Sequence, residues 1–255
     1  MLTRVDAVLF DLDGTLVDTI PLILACYQHT LAAHLPGYDP GRKVIIGNLG
    51  RSLDDILFDY AAAAGVADPA TESRAMLTTY RAFQRENLNR LIRPYEGMRE
   101  ALEQLRARGL TLGVVTSKVE WAARECYKYY GLGEFLPIGV FHDDTERHKP
   151  DPQPLLYAAA KGGLDVARTV YVGDAVHDMA AGKAAGMRTI AALWGPSERE
   201  ELVRAGADEL ADRPADLLAI IGPAYPRVFR LRPIGLRRDS ERPALRPTPR
   251  ALPEP

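Results

Sequence analysis

Cysteine is nearly absent: Cys26 and Cys126 are the only two in 255 residues. Two thiols that far apart build neither a disulfide framework nor a thiolate metal site, and they suit a reducing compartment as core fillers. No apolar run approaches the ~18–20 residues that a bilayer-spanning helix needs. Arg4 runs straight into Asp6, Asp11 and Asp13, which is not a signal-peptide pattern. A soluble cytoplasmic protein with no membrane partner is the expectation. Net charge is also scarce, −2 in total, so no overall field argues for nucleic acid, and none is expected as a partner. No fixed-period repeat is visible.

Apolar residues are plentiful, at 47%, enough for a real core in one or two domains. Strand-like runs recur at Val5–Phe10, Leu110–Thr116, Ile138–Phe141, Thr169–Gly173 and Arg188–Ala192. Helical patterns such as Met98–Arg108 and Val119–Tyr130 lie between them. That alternation predicts an α/β fold with a parallel sheet covered on both faces. Residues 17–91 break the rhythm, with helical stretches at Thr19–Leu35, Ser52–Ala64 and Ala70–Leu88 and little strand. A helical insertion after the first strand would sit over the crevice at the strand's carboxyl end, where a lid can exclude water. The α/β core is therefore expected over 1–16 and 92–222. From 223 to 255 there are eight Pro and eight Arg and no apolar periodicity. That composition predicts a disordered tail.

Four short stretches carry chemistry. In Phe10-Asp11-Leu12-Asp13-Gly14-Thr15, two carboxylates one residue apart follow a buried-looking strand, and alternate residues point the same way. Two like charges that close repel unless a cation or a catalytic role compensates. Val114-Val115-Thr116-Ser117-Lys118 puts hydroxyls at a strand end that opens a helix, a place where anions are held. In His148-Lys149-Pro150 the proline restrains one lysine, and a fixed ammonium is a point charge suited to phosphate. In Gly173-Asp174 through Asp178, two carboxylates four residues apart share a face if both are helical, and both are hard oxygen ligands suited to Mg²⁺.

In this order the four motifs resemble the haloacid dehalogenase superfamily of aspartate-dependent phosphatases, over residues 1–222. The resemblance implies a Rossmann-like core with 17–91 as a C1 cap. It makes Asp11 the nucleophile, Asp13 the general acid and then base, Thr116 a phosphate-oxygen ligand, and Lys149 the neutralising cation. Thr116, Ser117 and Lys149 would bind the phosphoryl group. Mg²⁺ would be held by Asp11, the Asp13 carbonyl and Asp174, supported by Asp178. An acid at Asp13 argues against dehalogenases, which lack it, and against phosphonatases, which carry a small residue there.

The nearest branch resembles phosphoglycolate phosphatases and bacterial pyrophosphatases. The substrate expected is a small phosphorylated metabolite, 2-phosphoglycolate first and inorganic pyrophosphate second. A sugar-phosphate mutase of the same fold is a further enzymatic alternative. A phospho-accepting signalling module is the non-enzyme one. Arg51, in Gly47-Asn48-Leu49-Gly50-Arg51, falls where such caps reach the substrate, and a guanidinium pairs with a carboxylate or a second phosphate. Oligomeric state, monomer or weak dimer, is left open by the sequence.

Overall fold

The computed structural model describes residues 4–222. The tail expected over 223–255 lies outside the described residues. Strand β1 (Ala7–Phe10) is buried along its whole length. A two-residue strand β2 (Val17–Asp18) leads into four helices: α1 (Ile20–His34), α2 (Arg42–Gly47), α3 (Leu53–Ala63) and α4 (Pro69–Leu91). Strand β3 (Arg93–Pro94) pairs antiparallel with β2, so the chain leaves for the helices and returns from them side by side. The elements then alternate: α5 (Met98–Ala107), β4 (Thr111–Val115), α6 (Glu120–Tyr130), β5 (Ile138–Val140) and α7 (Gln153–Gly162). They finish with β6 (Thr169–Gly173), α8 (Val176–Ala184), β7 (Arg188–Ala192), α9 (Arg199–Arg204), β8 (Glu209–Ala211) and α10 (Leu217–Ile221).

Six strands form one parallel sheet in the order β5-β4-β1-β6-β7-β8. Strand β1 is central, with Phe10 opposite Val114 on one side and Val172 on the other. The chain turns to one side of β1 through β4 and β5, then to the other through β6 to β8. That reversal opens a crevice at the carboxyl ends of β1, β4 and β6, where open α/β sheets take ligands. Helix α5 shows how the sheet is covered. Its Met98, Ala101, Leu102 and Leu105 are buried at helical spacing, forming one apolar stripe.

The helices of 20–91 pack on one another. Asp68 caps α4 by accepting from the Thr71 amide at 3.1 Å, with Pro69 at its first position, the favoured chemistry for a helix start. Tyr27 of α1 meets Tyr60 of α3 and Tyr80 of α4 edge-on, at 5.8 and 5.2 Å between ring centroids. Among the described residues no helix is long and apolar enough to cross a membrane.

Four elements escape the sequence pattern. Helix α2 has six residues bounded by Gly41 and Gly47, too short to show a period. The β2–β3 pair has two residues per strand. Strand β8 is an edge strand of three residues beginning with Glu209.

Candidate active site

Asp11, Thr116 and Asp174 are each the first residue after a strand, following β1, β4 and β6 respectively. The ladder continues one step past the strand ends: the Asp11 amide donates to the Val172 carbonyl at 2.9 Å and the Thr116 amide to Val140 at 3.0 Å. Three adjacent strands thus deliver three polar side chains to one crevice. Asp11, Asp13, Thr116, Ser117, Lys118, Lys149 and Asp174 all line it.

Lys149 lies at its floor, 3% exposed. Its Nζ donates to Asp11 Oδ1 and to Asp178 Oδ1, both at 2.7 Å, and to the Tyr171 hydroxyl at 3.1 Å. Asp174 and Asp178 do not meet as neighbours on a helix face, as their spacing suggests. Helix α8 begins at Val176, so Asp174 precedes it, and Asp178 folds back to accept from the Ala175 amide at 3.0 Å. Asp11, Asp174 and Asp178 bring one oxygen each within 4.8 Å of one another, all buried. The Asp13 side chain is not in this group; both its oxygens accept from Lys118 Nζ, at 2.8 and 2.9 Å.

Three carboxylates around one ammonium leave excess negative charge in a buried place. Burial pushes the Asp11 carboxyl up to about 7 against the opposing pull of Lys149, with Asp178 and Asp13 adding to the rise. Burial first, and then the Asp178 and Asp11 charges, hold Asp174 well above the usual carboxylate range. Lys149 is driven well above its ordinary value because the Asp11 and Asp178 charges outweigh its burial.

The donor set fits a hard divalent cation. Asp174 Oδ1 accepts from the Thr15 hydroxyl at 2.6 Å, but its Oδ2 is buried with no partner, a cost that a coordinated cation would remove. Gly14, at φ 85°, leaves the space beside that oxygen open; a Cβ there would overlap the Asp174 carboxylate.

The remaining residues singled out in the sequence sit at the rim. The Ser117 hydroxyl donates to the Gly50 carbonyl at 2.6 Å, tying the strand end to the loop after α2 and committing its proton there. Arg51 lines the crevice, yet its guanidinium already donates to Asn48 Oδ1 at 2.8 Å and Asp59 Oδ2 at 2.7 Å. Residues that sequence reasoning left without a role include Thr15, Lys118 and Tyr171, and Arg81 and Gln84 of α4, which line the crevice from above. Thr15 shares the alternation of Asp11 and Asp13 and so had a signal. Arg81 and Gln84 had none, because nothing local says which way α4 turns its polar side.

The haloacid dehalogenase-like hydrolase family model matches residues 8–192. The chain is 36% identical over 219 residues to pyrophosphatase PpaX of Bacillus velezensis, covering 86% of this chain and 97% of that one. It is 34% identical over 221 residues to N-acetylmuramic acid 6-phosphate phosphatase of Pseudomonas aeruginosa, covering 86% and 95%. A crystal structure described as a predicted phosphoglycolate phosphatase from Haemophilus somnus superposes with a TM-score of 0.75 at 25% identity, covering 87% and 100%. The chain belongs to the haloacid dehalogenase-like hydrolases.

Proposed function

We propose that the chain is a phosphatase that moves the phosphoryl group of a small substrate onto Asp11 and then to water. The observation that carries this reading is the Asp11 carboxylate at the end of the central strand. Its Oδ1 is neutralised by Lys149 at 2.7 Å while its Oδ2 accepts no hydrogen bond from a described residue. Oδ2 is then the attacking atom. Residues 17–91 serve as the lid over it.

The first step forms the bond from Asp11 Oδ2 to phosphorus and breaks the bond to the leaving oxygen. In the second, water attacks that aspartyl-phosphate, gives its proton to Asp13 and frees phosphate, so one hard displacement becomes two. Lys149 and the Thr116 hydroxyl hold charge and oxygen atoms in line, which is most of what phosphoryl transfer asks of a protein. Mg²⁺ held by Asp11 and Asp174, with Asp178 behind them, would supply the charge neutralisation that lets a carboxylate approach a phosphate dianion. Both Asp13 oxygens accept from Lys118 Nζ, at 2.8 and 2.9 Å, which holds the side chain at the crevice wall.

With pyrophosphatases among its relatives, inorganic pyrophosphate comes ahead of 2-phosphoglycolate as the proposed substrate. The test is a panel of phosphorylated compounds, pyrophosphate and 2-phosphoglycolate included, assayed for phosphate release with and without Mg²⁺. Release of phosphate that needs Mg²⁺ and is lost in Asp11→Asn supports the reading. Release that persists in Asp11→Asn overturns it, and phosphate exchange between substrates with little net release would indicate a mutase instead.

A further inference from the structure

Four long-chain cations line the crevice: Arg51, Arg81, Lys118 and Lys149. Three are already matched with carboxylates, Arg51 with Asp59, Lys118 with Asp13, and Lys149 with Asp11 and Asp178. Arg81 has no acidic partner and no hydrogen bond among the described residues. One turn along the same face of α4, Gln84 is only 5% exposed and lines the same crevice, and its amide makes no hydrogen bond to a described residue. An unmatched guanidinium beside an amide with uncommitted donors and acceptor, both on α4 and both lining the crevice, is a site built for something not carried by the chain.

We propose that Arg81 and Gln84 form the subsite that reads a second anionic group on the substrate, on the departing part rather than on the phosphoryl group transferred to Asp11. This rests on the phosphatase reading and names what its substrate must carry: a terminal phosphate or a carboxylate besides the transferred phosphoryl. A guanidinium takes either in a fork of two hydrogen bonds, and an amide N–H adds a third without adding charge. Arg51 is then a tether that holds the loop after α2 to α3, since its charge is answered by Asp59 and its fork by Asn48.

The test compares KM for pyrophosphate, 2-phosphoglycolate and 4-nitrophenyl phosphate, which has no second anion, in the wild type and in Arg81→Ala, Gln84→Glu and Arg51→Ala. Arg81→Ala should raise KM roughly ten- to a hundred-fold for a substrate with a second anion, the usual loss for one charge-assisted contact. Aryl phosphate should change less than about twofold. Gln84→Glu keeps the shape and adds a repelling charge, so it should show the same selectivity. Arg51→Ala should act alike on all three substrates. A loss confined to pyrophosphate identifies phosphate as the second anion, and one confined to 2-phosphoglycolate identifies carboxylate. Equal shifts of all three in Arg81→Ala, no shift, or a wild type that accepts aryl phosphate alone would overturn the subsite. A wild type inert toward all three would instead overturn the phosphatase reading beneath it.

Discussion

Lys118 Nζ bridges both carboxylate oxygens of Asp13, at 2.8 and 2.9 Å, although 105 residues separate them. The pair sits at the crevice wall with side-chain exposures of 5% for Lys118 and 19% for Asp13. Removing one member of a buried pair leaves a charge unanswered, which costs more than removing both. Lys118→Met should therefore lower the melting temperature by several degrees, and Asp13→Asn/Lys118→Met should recover most of it. Thermal unfolding of the wild type, Lys118→Met, Asp13→Asn and the double variant checks this. Additive losses would mean that the two side chains do not answer each other.

Asp11→Asn should fold, because Lys149 keeps Asp178 as a partner at 2.7 Å. Turnover should fall by several orders of magnitude, as loss of a covalent nucleophile usually brings. Circular dichroism and phosphate release, measured on the same preparation, separate the two effects.

The carboxylate cluster makes stability depend on pH in the absence of divalent cations. With Asp11 raised to about 7 in the fold, against ~4 for an unfolded aspartate, the folded chain binds more protons between those values. Its stability should fall as pH rises from about 4 to about 7. Mg²⁺ at pH 8 should reverse the loss, seen as a higher melting temperature. Asp174→Asn should stabilise the metal-free protein at that pH and blunt the response to Mg²⁺. A melting temperature indifferent to Mg²⁺ in the wild type would remove the metal site from this cluster.

The described chain is held to its end. Arg108 Nη1 donates to the carbonyls of Leu218 at 2.6 Å and Gly222 at 2.7 Å, and Leu217 and Ile221 are buried. Truncation after Gly222 should leave thermal stability nearly unchanged, while truncation after Asp216 should lower it markedly. Comparable losses in both would mean that residues beyond 222 pack.

The sheet was legible because its strands are buried on both faces. Runs such as Val170–Val172 and Val8–Phe10 read as continuous apolar stretches, which a half-exposed sheet would not give. Short elements were not, since α2 and β8 offer too few residues for any period. The groups at the strand ends could be singled out because each follows an apolar run that marks its own end. The contribution of α4 could not, because the face of α4 that looks into the crevice is chosen by packing of Tyr27, Tyr60 and Tyr80, a long-range event. The same limit left Lys118 unassigned and hid the pairing of Arg51 with Asp59.

Strand β1 sits at the middle of the sheet, yet its neighbours β4 and β6 begin at Thr111 and Thr169. A chain emerging from the ribosome therefore carries the Asp11 strand with no partner until β4 follows at Thr111, and with one edge unpaired until Thr169. Pairings of such sequence separation form slowly, and an unpaired apolar strand is an aggregation hazard while it waits. The crowding of Asp11, Asp174 and Asp178 also arises only when β6 docks, so the charge repulsion comes late. Nascent chains arrested before residue 169 should be the aggregation-prone, chaperone-dependent species, and those arrested well beyond β6 should not.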